Sequence, residues 1–127
     1  MPIIRVRALP QRKDVDVTAA LKKACLSLAA TMDLPAKQVW ATWETLAPGN
    51  YVEGDRAPEV QPSATHPPLV EVLALRGRPP ELVRRMVSSV GEALCTGLGL
   101  EGQNAFIRYV EISEDHVFYQ WDETAHS

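Results

Sequence analysis

Two short runs of aliphatic side chains, residues 3–9 and 69–75, stand out along the chain and are of the kind that a strand covered on both faces shows. Each is followed by apolar positions at three- and four-residue spacing. Val17, Leu21, Ala24, Leu28 and Met32 share a face opposite Lys22, Lys23 and Ser27, and Leu82, Met86, Val90, Leu94 and Leu98 repeat the arrangement. Both patterns predict amphipathic helices. Asp14 or Asp16 supplies an N-cap carboxylate for the first. Pro79 and Pro80 stand at the start of the second, where a missing N–H costs nothing, and Gly97 and Gly99 mark its end. An aromatic-rich run closes each half, residues 39–46 and 105–112, and predicts a second strand in each. Short extensions, Asn50–Glu53 and His116–Trp121, follow turn residues and predict small hairpins.

The two halves are one pattern written twice. Sliding the sequence by 66 residues lays Pro2 on Pro68, Val6 on Val72, Ala8 on Ala74, Leu9 on Leu75, Arg12 on Arg78, Val17 on Val83, Leu28 on Leu94 and Leu34 on Leu100. Strand, helix, strand is a β-α-β unit whose two strands run parallel with a right-handed crossover. The expected fold is therefore α+β, with two tandem β-α-β units forming a four-stranded sheet and two helices on one face. The chain reads as a single domain, 1–127, with a first repeat at 2–55, a linker at 56–67, a second repeat at 68–121 and a frayed acidic tail at 122–127. Trp40, Trp43, Phe106 and Tyr109 supply more aromatic surface than one layer of helices hides, so the other sheet face is expected to be buried by oligomerisation.

Composition narrows the partners. Hydrophobic residues make up 46% and charged residues 23%, which is ordinary for a globular domain. Thirteen Lys+Arg against 16 Asp+Glu leave −3, with the positive charges scattered, which argues against a nucleic-acid or anionic-membrane surface. The longest charge-free apolar stretch, residues 24–32, is far shorter than the ~20 residues of a membrane helix. Arg5 and Arg7 interrupt the only N-terminal apolar run, so no secretory signal is read and a cytoplasmic location is expected. Cys25 and Cys95 have no Cys-x-x-Cys or histidine at ligand spacing, and read as buried thiols rather than metal ligands. His66, His116 and His126 fall in the linker, a turn and the tail, and none reads as catalytic.

The chemistry-bearing residues lie at the starts of the halves. Removal of Met1 from a Met-Pro terminus exposes Pro2 as a secondary amine, and an α-amino group titrates near ~8. An apolar pocket or neighbouring cations disfavour its protonated form, which prepares it to move a proton to and from carbon next to a carbonyl. Arg12 and Arg78 each follow their half's opening proline by ten residues, at a strand-to-helix junction, where a guanidinium can grip a carboxylate. Arg76 lies two residues before Arg78, so in extended geometry the two share a face. Pro68 is a different case: Pro67 precedes it, so its nitrogen is a tertiary amide without a basic lone pair.

Met1-Pro-Ile-Ile-Arg-Val6, Arg12, the amphipathic helix, the aromatic strand and Pro48-Gly-Asn-Tyr-Val-Glu-Gly54 together resemble the tautomerase superfamily. The first half is similar to one 4-oxalocrotonate tautomerase subunit and the second to a fused copy. The resemblance implies a trimer around a pseudo-sixfold barrel and a site without metal or cofactor, in which Pro2 is the base. It assigns a substrate-binding role to Arg12 and a pocket wall to Tyr51. Trp40 and, in the second half, Phe106 stand where the namesake carries a second arginine; Arg108, two residues beyond Phe106, is a partial substitute. The Arg76-Gly-Arg78 pair is similar to that of the single-chain decarboxylase and dehalogenase branches, although Gln38 stands where decarboxylase-like members have an aspartate. Glu53 is a candidate for a water-activating carboxylate. The implied activity is keto–enol proton transfer on a small unsaturated 2-hydroxy carboxylic acid. Hydration, dehalogenation or decarboxylation through a protonated Pro2 is the alternative, and so is a non-catalytic binding protein of the same fold. One amine-based site per chain is expected, with a degenerate counterpart at Pro68.

Overall fold

A computed structural model describes residues 1–119. Its elements are β1 (Ile3–Ala8), α1 (Val17–Met32), β2 (Trp40–Thr45), β3 (Leu69–Leu75), α2 (Pro80–Leu98) and β4 (Phe106–Ile112), with 3-10 turns at Ala36–Gln38 and Glu114–His116. The four strands form one mixed sheet in the order β2-β1-β3-β4. β1 runs parallel to β2 and β3 to β4, as two β-α-β units require, while β1 and β3 are antiparallel at the centre. That central pairing relates the halves by a pseudo-twofold axis.

The 66-residue register extends to single hydrogen bonds. Trp40 N–H donates to the Pro2 carbonyl at 3.1 Å, and Phe106 N–H to the Pro68 carbonyl at 3.0 Å. Each helix ends in a left-handed residue, Asp33 or Gly99, followed by a bond from Leu34 to Ala29 or from Leu100 to Cys95, both at 2.9 Å. Asp16 is the N-cap of α1, its carboxylate accepting from Ala19 N–H at 3.0 Å. α2 begins three residues earlier than the repeat alone dictates, because Pro79 and Pro80 provide a preset helical start.

Alternation along the strands divides the sheet. Ile4, Val6, Ala8, Val70, Val72 and Ala74 point toward the helices and are almost wholly buried with Ala24, Leu28, Met86, Val90, Leu94 and Leu98. Burying each large aliphatic side chain contributes roughly 1.5–3 kcal/mol. Gly97 is the penultimate residue of α2, and a Cβ there would meet the Ala20 Cβ at 2.8 Å, so the close approach of the two helices depends on it. β1 is covered on one face only within the chain. Its other side presents Arg5 and Arg7, and the same face carries Glu71, Arg108 and Phe106, the last 57% exposed. The aromatic set is split: Trp40 and Phe106 are on the bare face, whereas Trp43 and Tyr109 are half-buried against the core.

The connection expected as a linker is a packed strap. Gln61 and His66 are buried within it. The Gln61 amide donates to the carbonyls of Pro62, Thr65 and His66, its backbone N–H to that of Pro10, and Asn104 donates to Ser63 and Thr65. Proline removes donors, and side-chain amides satisfy the carbonyls left over. Of the expected hairpins, the first is a tight turn in which Glu53 and Arg56 exchange backbone bonds. At the second, His116 belongs to a 3-10 turn instead, and Trp121, like the tail at 122–127 and His126, lies outside the described residues. Cys25 and Cys95 are free and half-buried, and burial raises both thiol pKa values. No helix among the described residues is long and apolar enough to cross a membrane.

Candidate active site

Pro2 is fully buried, set between the start of β2 and the end of β3. The antiparallel register places Ile3 opposite Leu73, so the N-terminus lies where β3 hands over to Arg76 and Arg78. In the full chain the Pro2 nitrogen is a peptide nitrogen and the free amine is that of Met1, itself only 6% exposed. Its pKa is lowered from the usual 8.0, first by burial and then by the positive charge of Arg78. Arg78 is therefore electrostatically coupled to the chain's start. Its Nη1 donates to the Leu75 carbonyl, and its Nη2 is buried with no hydrogen-bond partner among the described residues. A guanidinium nitrogen with this free donor, beside a desolvated amine, has the chemistry to hold an anionic group.

Arg76 does not share a face with Arg78. Gly77, at φ 113°, turns the chain between them and breaks the extended geometry that would have aligned them. Arg76 instead borders an open depression of about 630 Å³ with Glu111, Glu114 and Asp115. Trp40 follows Pro2 in the parallel register, and its ring meets Tyr119 edge-on at 5.0 Å. Gln38, two residues earlier, is 9% exposed, and its Oε1 is buried without a partner among the described residues.

The other predicted residues gather at the opposite end of the sheet. β1 is six residues long, so its ends are separated by about 20 Å. Arg12 leaves the far end and donates through Nη2 to the carbonyls of Leu98 and Gly99 at 3.0 and 3.2 Å, closing the C-terminus of α2. Its Nε is 3.8 Å from Asp14. Tyr51 donates its hydroxyl to the Pro67 carbonyl at 2.7 Å and meets the His66 ring edge-on at 5.2 Å. Burial, and secondarily Glu53, raise its phenol pKa. Glu53 accepts from His66 N–H at 3.3 Å, and His66 in turn contacts Thr65 Oγ1 and the Arg56 carbonyl, each at 3.0 Å. Phe106 begins β4 beside Pro68. Arg108 lies in mid-strand on the bare face, 3.4 Å from Glu71, which also faces Arg5 at 3.6 Å.

Within one chain, then, Arg76, Arg78 and Trp40 accompany Pro2, while Arg12, Tyr51 and Phe106 accompany Pro68. Equivalents in the two halves exchange ends because the central strands are antiparallel. The repeat also identifies residues not assigned to the site from sequence. Val117 is the 66-residue counterpart of Tyr51 and precedes by two positions the Tyr119 that meets Trp40. Gln38 was visible only as a departure from an expected aspartate. Among the described residues no three of His, Cys, Asp and Glu cluster to hold a metal ion.

No family model matches the sequence, and no curated protein matches it. Solved structures do. A native fused 4-OT is similar at a TM-score of 0.78 and 15% identity, over 92% of this chain and 91% of its own. The F6 fused 4-OT, a wild-type asymmetric trimer, is similar at 0.76 and 17% identity, over 92% and 91%. Malonate semialdehyde decarboxylase follows at 0.71 and 18% identity, over 96% and 93%. The chain has the fused 4-OT fold, with four strands in a mixed sheet and two helices.

Proposed function

We propose that the chain is a tautomerase-superfamily enzyme in which the amine of Pro2, freed by loss of Met1, moves a proton on a small carboxylic acid. The observation that carries this reading is the buried N-terminus beside the unpartnered Nη2 of Arg78. Excision of Met1 shifts the free amine one residue inward, to a proline that is buried in the full chain. Burial and the guanidinium both favour its neutral form at cellular pH. A neutral amine is a base. It accepts the hydroxyl proton of a 2-hydroxy-dienoate as the carbonyl forms, and the resulting ammonium returns a proton to the carbon that closes the keto product. Arg78 holds the carboxylate and steadies charge at the developing oxyanion; Arg76 at the rim attracts the anion. Trp40 favours an apolar body. Arg12, Tyr51 and Phe106, at the far end of the sheet, and Arg108, in mid-strand, have no part in the chemistry at this amine within one chain. A homotrimer is supported by the trimeric fused 4-OT neighbours.

The second reading uses the same amine as an acid, in decarboxylation or hydration of a short acid. The likeness to malonate semialdehyde decarboxylase over 96% of the chain and the Arg76-Gly-Arg78 pair favour it. The lowered pKa of the Met1 amine at the same end of the sheet favours the first. Intact mass establishes whether Met1 is gone. A panel of enol acids, assayed with free and N-acetylated protein alongside carbon dioxide release, then tests both. Turnover undiminished by acetylation would overturn either form of amine catalysis.

A further inference from the structure

Arg78 and Gln38 leave a buried donor and a buried acceptor without partners among the described residues at one end of the sheet, and the two have different uses. The donor, Arg78 Nη2, suits a carboxylate. The acceptor, Gln38 Oε1, repels one and needs an N–H or O–H instead. Gln38 ends the 3-10 turn at Ala36–Gln38, where its N–H donates to the Pro35 carbonyl at 3.0 Å. Val39 packs into the core, so alternation turns the preceding side chain to the other side of the strand. Carried back two positions from the pairing of Ile3 with Trp40, the parallel register sets Val39 beside Pro2 and Gln38 beside Met1. Adjacent strands lie about 4.8 Å apart, a gap that a glutamine side chain spans. In the full chain the Met1–Pro2 peptide offers Oε1 nothing, because an acylated proline nitrogen has no hydrogen. Loss of Met1 makes that nitrogen a secondary amine, with one N–H and one lone pair.

We propose that Gln38 is a positioning residue whose Oε1 accepts the N–H of the mature Pro2 amine and so turns the lone pair toward the substrate held by Arg78. This rests on the reading of Pro2 above and adds an orientation to it. The two remaining positions on the ring nitrogen exchange by inversion, and only one arrangement aims the lone pair into the site. With the N–H held by Gln38, the substrate O–H bond breaks as a new N–H bond forms at the lone pair, and that same N–H breaks as the C–H bond forms. The hydrogen shared with Gln38 never leaves. An uncharged amide does this without the strong preference for the ammonium that a carboxylate has. The charged groups at this end are Arg78 in the β3–α2 connection, Arg76 with Glu111, Glu114 and Asp115 at the depression beyond it, and exposed Lys37 in the 3-10 turn.

Two variants of the processed chain test this, with fold checked by circular dichroism and loss of Met1 by intact mass. Gln38→Leu removes the acceptor. It is expected to lower kcat on an enol acid by about three- to tenfold with KM within about twofold of wild type, and to lower the pKa of the ¹⁵N-labelled Pro2 nitrogen. Gln38→Glu restores an acceptor and adds a charge, and is expected to raise that pKa by about one pH unit or more, carrying the acid-side inflection of kcat/KM with it. A crystal structure of the processed wild type, which needs no variant to fold, is expected to place Oε1 within about 3.2 Å of the Pro2 nitrogen. A Pro2 pKa unmoved in both variants, or an Oε1 turned away from that nitrogen, would overturn the role of Gln38 alone. Turnover undiminished by N-acetylation would overturn the catalytic reading and with it the orientation of a lone pair toward substrate.

Discussion

The Pro2 and Pro68 ends of the sheet begin from the same local sequence and reach opposite states. At both, a buried proline opens a strand and accepts a bond from the first residue of the parallel neighbour. At the Pro68 end most polar groups are paired within the chain, the Gln11 Oε1 being buried without a partner among the described residues. Arg12 closes α2, Tyr51 holds the Pro67 carbonyl, and the strap brings His66 and Glu53 into a network of their own. At the Pro2 end Arg78 and Gln38 each keep a buried polar atom without a partner among the described residues, beside a terminus pushed toward neutrality. A folded chain tolerates such atoms at a cost of about 1–3 kcal/mol each, and function is where that cost is recovered. Duplication supplied two equivalent ends; joining the halves through Pro67 turned one into structure.

The sharpest way to break this contrast is to remove the amine. Acetylating the N-terminus, or retaining Met1, is expected to lower turnover of an enol acid by about 10²–10⁴-fold, whereas Pro68→Ala stays within about twofold of wild type. Steady-state kinetics with intact-mass control reads both. A comparable loss at Pro68 would erase the distinction between the ends. Next in size is the arginine pair. Arg78→Ala is expected to cost about 10²–10³-fold in kcat/KM, the range for losing one stabilising donor. Arg12→Ala should act on folding instead: losing its bonds to Leu98 and Gly99 should destabilise by about 1–2 kcal/mol in urea unfolding. The smallest effect belongs to Tyr51→Phe, which removes one hydroxyl bond to the strap and should lower the midpoint of thermal unfolding by about 3–6 °C with turnover unchanged.

Much of this was legible in the sequence because the repeat constrains two copies at once. The 66-residue shift matches the starts of β1 with β3 and of β2 with β4, and the ends of both helices. Apolar spacing also picked out Leu28 and Leu94, both fully buried. What a repeat does not carry is how its copies pair. Antiparallel contact of β1 with β3 sends Arg12 and Tyr51 to the far end and brings Arg78 to Pro2, and no periodicity along one chain encodes that choice. The strap was obscured for another reason. Its order comes from side-chain amides, Gln61 and Asn104, reaching carbonyls near and far in sequence, while its composition has the proline and polar content of a loose linker. Arg76 and Arg78 were separated by Gly77, whose left-handed φ replaced the extended backbone assumed for them.

The central claim is that the mature amine is neutral when it meets its substrate. Titrating the ¹⁵N-labelled Pro2 nitrogen by NMR in the processed protein measures it directly, with Arg78→Ala beside it. A base whose charged form is disfavoured is active above its pKa and loses activity as pH falls through it. The expected pKa lies below the ordinary value of 8.0, coincides with the acid-side inflection of kcat/KM, and moves upward in Arg78→Ala. A Pro2 pKa at or above the ordinary value, unmoved by Arg78, would contradict the account.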